Sequence, residues 1–225
     1  MADPVAGPGS TSDEPLLEFR EVMRRLRAEC GWKREQTHRS LSRYLLEELH
    51  ETLEALDTWE HAADPADPAA AEHLCEELGD LLLQVYFHAV IAEEAGSFTL
   101  DDVARGIVEK MRRRNPHVFA PEGEPRAPAG DAAAINEAWQ EIKAAEKARS
   151  SVTEGLPPTL PALLHADKVL DRLARERRRS AVEEVAQRPS RGSDVGDRLL
   201  ALVAEAHDAG VDPEQALRDA VRRLL

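Results

Sequence analysis

Glu76-Glu77-Leu78-Gly79-Asp80-Leu81-Leu82-Leu83-Gln84-Val85-Tyr86-Phe87-His88-Ala89-Val90-Ile91-Ala92 is the stretch that decides the fold. Set on a helix, Leu78, Leu81, Leu82, Leu83, Val85, Phe87, Val90 and Ile91 cover almost the whole circumference, which predicts a core helix. Glu77, Asp80, Gln84 and His88 then form one narrow polar stripe inside that apolar surround. Such a stripe is expensive to bury without something to offset its charge. About 25 residues earlier stands Glu47-Glu48-Leu49-His50-Glu51. Here Leu41, Leu45, Leu49, Leu53 and Leu56 make an apolar arc with Glu48 at its edge. Glu51 lies beside Tyr44 on the same side, Glu47 is one step further out, and Glu54 points to the opposite side.

Carboxylates three or four residues apart share a helix face. Two such helices packed together bring four or five carboxylates to one place, a repulsive arrangement unless a cation sits among them. A hard divalent ion with oxygen ligands fits, and Mg²⁺ usually arrives with substrate phosphates. The alternative for EExxE taken alone is a solvated acidic face. The Glu77/Asp80 stripe, on a helix apolar nearly all round, argues against that alternative.

The flanking sequence predicts an all-α chain with no strand. Helices are expected from about Pro15 to Ala28, Ser40 to Glu60, Ala70 to Ala95, and from a Thr99/Asp102 capping box to Asn115-Pro116, with a loop at Cys30-Gly31-Trp32. Another spans about Asp131 to Arg149. After Gly155 to Pro161 come a helix from about Ala162 to Arg179, a polar break at Gln187 to Ser193, and two more helices. Asp212-Pro213 starts the last. The expected organisation is a disordered tail at 1–13, a catalytic module at 14–150, a linker at 151–161, and a second helical module at 162–225.

Composition narrows the function. Ala, Leu, Glu and Arg dominate, and the aromatic fraction of 4% is low. A net charge of −14 argues against a general nucleic-acid binder or an anionic membrane surface. A polyanionic substrate would need a metal or a local basic patch. Cys30 and Cys75 form no CxxC and read as reduced thiols of a cytoplasmic protein. Neither a signal-peptide core nor an apolar run of spanning length is present, so no membrane partner is expected.

The eight histidines show no HxH or HExxH spacing, which leaves zinc unsupported, and His88 reads as a core or rim histidine. Lys110, Arg112, Arg113 and Arg114 form a basic cluster before Asn115-Pro116-His117-Val118-Phe119. They fit either a solvated helix end or a phosphate clamp, Lys110 and Arg114 sharing a face. Trp32 and Trp139 fit either core anchoring or base stacking.

Five pieces carry a family resemblance: Cys-Gly-Trp-Lys-Arg-Glu-Gln-Thr (30–37), Leu-Glu-Glu-Leu-His-Glu (46–51), Glu-Leu-Gly-Asp-Leu-Leu-Leu-Gln-Val (77–85), Lys-Met-Arg-Arg-Arg-Asn-Pro-His-Val-Phe (110–119) and Trp-Gln-Glu-Ile-Lys (139–143). In order and spacing they resemble the MazG family of nucleoside triphosphate pyrophosphohydrolases, within the all-α NTP pyrophosphatase superfamily. The resemblance implies a four-helix-bundle-like module working as a homodimer or higher homo-oligomer. It implies Mg²⁺-dependent hydrolysis of an NTP or dNTP to monophosphate and pyrophosphate, with Mn²⁺ as a substitute ion. By motif match Glu48, Glu51, Glu77 and Asp80 are the metal ligands, and Glu47 is a further ligand or positions the water. Lys110, Arg113 and Arg114 contact phosphates, and Trp32, Trp139 and Lys143 line the substrate site.

The C-terminal third departs from two-module members of that family. Asp194-Val-Gly-Asp197 resembles a degraded ExxD helix, and Glu183-Glu184 lacks a third acid, which predicts an inactive, degenerate second module. Narrower dUTP/dCTP or phosphoribosyl-ATP pyrophosphohydrolases, or a non-catalytic nucleotide-binding regulator, are the competing expectations. Gly-Trp-x-x-Glu-Gln-Thr and Pro-His-Val-Phe favour MazG over the first two.

Overall fold

A computed structural model describes residues 14–62, 64, 67–119, 131–146, 151–175 and 194–224. The expectations for the tail at 1–13, for Glu183-Glu184 and for the break at 187–193 fall outside the described residues. The described residues contain helices and no strand. They belong to two compact units, Met1–Asp131 and Ala132–Leu225.

In the first unit the helices are α1 (Pro15–Glu29), α2 (Gly31–Glu35), α3 (His38–Glu60), α4 (Pro68–Glu94), α5 (Leu100–Arg114) and the single turn α6 (Pro116–Phe119). The most extensive packing is between α3 and α4; α1 also packs on α4, and α5 on α4. The core is built from Met23 of α1, Leu41 of α3, and Tyr86, Phe87 and Val90 of α4. Phe19, Leu26, Tyr44, Leu82, Leu83, Ile91 and Leu100 close around it. Charged pairs pin the same helices at the rim. Arg24 grips Glu93 through Nη2 at 2.7 Å and Nε at 3.3 Å, and Arg27 Nε meets Glu94 at 2.9 Å.

Local chemistry sets the boundaries. α3 begins two residues before the expected Ser40, because Thr37 and Ser40 cap it reciprocally. Thr37 Oγ1 accepts from Ser40 N–H at 3.1 Å, and Ser40 Oγ accepts from Thr37 N–H at 2.9 Å. Asp67 caps α4 through Ala69 N–H, with Pro68 in the first turn. Gly96, in the left-handed region at φ 66°, follows the end of α4. The expected Thr99/Asp102 box starts α5, and the Thr99 hydroxyl, followed by Arg105, holds the Asp102 carboxyl far below the usual carboxylate range.

Two expectations are corrected. Cys30-Gly31-Trp32 opens a short helix rather than a loop. Its carbonyl ends are satisfied from the side: Arg27 donates to Lys33 O and, at 2.9 Å, to Gln36 O, while Gln36 Nε2 donates to Trp32 O at 3.0 Å. Apart from Ala70 in its first turn, the α4 helix buries apolar side chains only in its second half. Tyr86, Phe87, Ala89, Val90 and Ala92 are buried, whereas Leu78 and Val85 remain 51% and 45% exposed. On α3, Leu41 is buried but Leu45, Leu49 and Leu56 are exposed. Apolar periodicity marks a face that wants covering; within one chain, α1 and the start of α5 cover only part of it.

In the second unit α7 (Ala132–Ala145) precedes α8 (Ala162–Arg175), α9 (Val195–Asp208) and α10 (Pro213–Arg222). Leu170 of α8 packs with Val203 and Ala204 of α9. Asp167 of α8 and His207 of α9 are paired at 2.8 Å.

The Thr37 cap holds the first turn of the helix that carries the acidic motif. Thr37→Ala is expected to lower stability by about 1 kcal/mol, measured by urea unfolding followed by circular dichroism. A change indistinguishable from zero would mean that tertiary packing alone fixes the start of α3.

Candidate metal centre and active site

The packing of α3 against α4 sets the EExxE motif beside the ExxD motif. Carboxylate oxygens of Glu48, Glu51 and Glu77 all lie within 4.8 Å of one another. No other group of three His, Cys, Asp or Glu side chains converges this closely among the described residues. Glu48 and Glu77 are half-buried and Glu51 is exposed, so the cluster opens to solvent on one side. Asp80 stands outside the three-way contact, yet its charge reaches Glu48. Burial is the largest influence on the Glu48 carboxyl and pushes it up; the charges of Asp80 and then Glu51 push it further the same way. A hydrogen bond from Gln84 acts in the opposite direction. Glu47 is exposed, next in sequence to the cluster.

The donor set fits a hard cation. It is all carboxylate oxygen, on two helices, with repulsion that a positive charge would relieve and no imidazole or thiolate among the three.

Three neighbours without an assigned role in the sequence reading hold this cluster. Thr52, buried between the helices, donates through Oγ1 to Glu48 O at 2.7 Å and lies 3.4 Å from Glu77 O, so one hydroxyl stands between the backbones of both motifs. Its signal was a hydroxyl four residues after Glu48, within the apolar arc. Gln84, only 4% exposed, places Nε2 3.5 Å from Glu48 Oε1. It was visible as a member of the polar stripe, without an assigned role. His73 Nε2 lies 3.4 Å from Glu77 Oε1, one turn before it on α4, an HxxxE spacing easily overlooked.

The other expected site residues are distributed as follows. Lys110, Arg113 and Arg114 occupy the last turns of α5, the helix packed on α4. Trp32, on α2, is half-exposed and meets Tyr44 edge-on at 6.0 Å between ring centroids, one turn before Glu48 on α3. Trp139 and Lys143 lie on α7 in the second unit, with the Lys143 ammonium 4.9 Å from the Trp139 ring centroid. The structure therefore groups the acidic residues with one another and Trp139 with Lys143. The two thiols, Cys30 and Cys75, are both free, and no described helix is long and apolar enough to cross a membrane.

Comparison with known proteins shows the family. The family described as MazG nucleotide pyrophosphohydrolase domain matches residues 36–119, which contain both acidic motifs and the basic end of α5. An uncharacterised protein of Streptomyces cacaoi is 41% identical over 209 residues, covering 91% of this chain and 77% of its own length. The nucleoside triphosphate pyrophosphohydrolase/pyrophosphatase MazG of Thermotoga maritima is 35% identical over 92% of this chain and 82% of its own. The nucleoside triphosphate pyrophosphohydrolase of Escherichia coli K12 is 33% identical over 88% and 80%. With the acidic motifs, their convergence and these relatives agreeing over most of its length, the chain belongs to the MazG nucleotide pyrophosphohydrolase family.

Proposed function

We propose that this protein hydrolyses nucleoside triphosphates, ribo- and deoxyribo- and non-standard ones included, to the monophosphate and pyrophosphate, with Mg²⁺ as the working ion and Mn²⁺ as its substitute. The observation that carries the reading is the convergence of Glu48, Glu51 and Glu77 on one point at the α3–α4 seam. Glu48, Glu51, Glu77 and Asp80 would hold the ion. When bound, it neutralises triphosphate charge and lowers the pKa of the attacking water.

The chain's own residues supply the rest. Glu47, exposed at the head of EExxE, positions the water. As that water loses a proton to solvent, its oxygen bonds to the α-phosphorus, the bond from that phosphorus to the bridging oxygen breaks, and pyrophosphate leaves with the bond's electron pair. Lys110 and Arg114, aided by Arg113, offset the charge that grows on the leaving group. Trp32 contacts the substrate. The recognition set reads triphosphate more than base, which suits a housecleaning role over the nucleotide pool.

We further propose a homo-oligomer. Leu45, Leu49, Leu56 and Trp59 run along α3 at helical spacing, and Leu78 and Val85 repeat on α4, all exposed in a single chain. Exposed apolar rows of this kind on the two helices that build the site mark a self-association face.

Product analysis on a panel of NTPs and dNTPs tests the reaction: pyrophosphate with monophosphate, only with a divalent cation, is expected. Orthophosphate with diphosphate would show that another bond is cut. Glu48→Gln is expected to lower turnover at least about 100-fold while retaining the fold. Basal turnover left unchanged would sink the assignment of Glu48.

The same variant should behave oppositely in stability. The folded-state pKa of Glu48 is raised, so its contribution is present below the unfolded pKa and lost as pH rises through the folded one. Metal-free Glu48→Gln should thus match the wild type near about pH 4 and melt higher at neutral pH, read by thermal scans. Equal melting at both pH values would show that the cluster is not strained. Finally, Leu49→Glu should shift the assembly toward monomer in light scattering; an unchanged mass would place self-association elsewhere.

A further inference from the structure

In a chain of net charge −14 a cation is expected to find a carboxylate, and on α1 Arg20, Arg24, Arg25 and Arg27 all do. The side chains of Lys33 on α2 and Arg43 on α3 do not; among the described residues neither forms a hydrogen bond or an ion pair. Aromatic faces hold them instead. The Lys33 ammonium lies 5.5 Å from the Trp32 ring centroid and 5.3 Å from that of Phe87, and the Arg43 guanidinium carbon lies 4.8 Å from that of Tyr44. Trp32 and Tyr44 meet edge-on at 6.0 Å, so Lys33, Trp32, Tyr44 and Arg43 form one unbroken row. Arg43 precedes Glu47 by four residues, a spacing that permits an ion pair, yet its guanidinium lies on Tyr44.

The row adjoins the acidic cluster on both helices of the seam. Tyr44 stands one turn before Glu48 on α3, and Phe87 stands one turn after Gln84, whose amide lies 3.5 Å from Glu48 Oε1. Trp32 and Arg43 are exposed, which leaves aromatic surface open beside the site. The hydrogen-bonding groups of the row are one-sided. Lysine and arginine donate and never accept. The backbone acceptors of α2 are already engaged: Trp32 O takes the Gln36 amide, and Lys33 O and Gln36 O both take Arg27. A planar ring stacked here meets cationic donors at either end of the row.

We propose that this row is the nucleobase site, and that Lys33 and Arg43 are specificity-determining residues that favour oxo bases over amino bases. Guanine and hypoxanthine carry O6 and N7 acceptors, and uracil and thymine carry O4, all of which suit these donors. The exocyclic amines of adenine and cytosine are donors themselves and meet like groups. A site furnished to hydrogen-bond one group discriminates against an analogue that lacks it. The triphosphate still supplies the common affinity, and the row ranks bases within that breadth. Since hydrolytic deamination turns adenine into hypoxanthine and cytosine into uracil, the ranking marks deaminated nucleotides. The inference rests on the triphosphate being the substrate of the adjoining acidic site.

Two matched pairs, ITP against ATP and UTP against CTP, test it, because the members of each pair differ only in the oxo or amino group. In the wild type the oxo member is expected to have the higher kcat/KM by about 10-fold. Lys33→Met and Arg43→Met together should bring both ratios to about one with helical content retained, and each single variant should fall between. Wild-type ratios near one, or favouring the amino member, would overturn the proposal, as would an unchanged ratio in the folded double variant. Calorimetry with the α,β-methylene analogues of ITP and ATP, in which carbon replaces the oxygen at the bond to be cut, separates the two readings. No turnover together with tighter binding of the ITP analogue would keep the base site and sink the pyrophosphohydrolase reading. Equal binding of the two analogues, or none, would sink the base site.

Discussion

Three carboxylates held within 4.8 Å of one another are the constraint around which the first unit is arranged. At that separation each pair of charges costs roughly 1 kcal/mol in a water-like medium and about 4 kcal/mol at a protein-surface dielectric. Hydrophobic contact elsewhere must hold the helices together against it. The core at Met23, Leu41, Tyr86, Phe87 and Val90 lies toward one end of the α3–α4 seam, and the acidic cluster toward the other. Thr52 stands between the backbones of the two motifs, and Gln84 reaches Glu48 from within the stripe. The repulsion is thus sustained by apolar packing on one side and a few buried polar groups on the other. Strain of this kind is expected where function has overridden stability.

The helical class and the acidic stripe were legible because both are periodic. Glu77, Asp80 and Gln84 recur at three and four residues on a helix with apolar neighbours all round, and that pattern survives any choice of tertiary partner. Caps were legible for the same local reason, as at Thr99 and Asp102. What covers an apolar face was not. Leu49, Leu78 and Val85 read as core by periodicity, and the single chain leaves them exposed, because periodicity says which way a residue points and nothing of what it meets. The role of Thr52 was illegible for a related reason. It acts across the seam, on a residue 25 positions away, and no local pattern encodes that distance. The α2 helix was missed because its few backbone hydrogen bonds are supplemented by the Arg27 and Gln36 side chains, which no local pattern announces.

The second unit keeps helical packing while carrying no comparable acidic cluster among the described residues. Where the first unit pairs carboxylates across two helices, the second pairs Asp167 with His207, an arrangement that neutralises charge instead of concentrating it. Its α9 and α10 helices each leave an apolar row exposed, Val195, Leu199 and Leu202 on one and Leu217, Val221 and Leu224 along and just beyond the other. The contrast between the units follows from the acidic motifs: the first carries both EExxE and ExxD, while Asp197 stands in the first turn of α9 without a matching triad.

The central claim is that the acidic seam between α3 and α4 exists to hold a divalent cation. Anomalous diffraction from a crystal soaked in Mn²⁺ tests it most directly. The account predicts a peak bounded by Glu48, Glu51, Glu77 and Asp80, at ligand distances of about 2.0–2.2 Å scaled to a hard octahedral ion. A peak elsewhere in the chain, or no peak under saturating Mn²⁺, would contradict it.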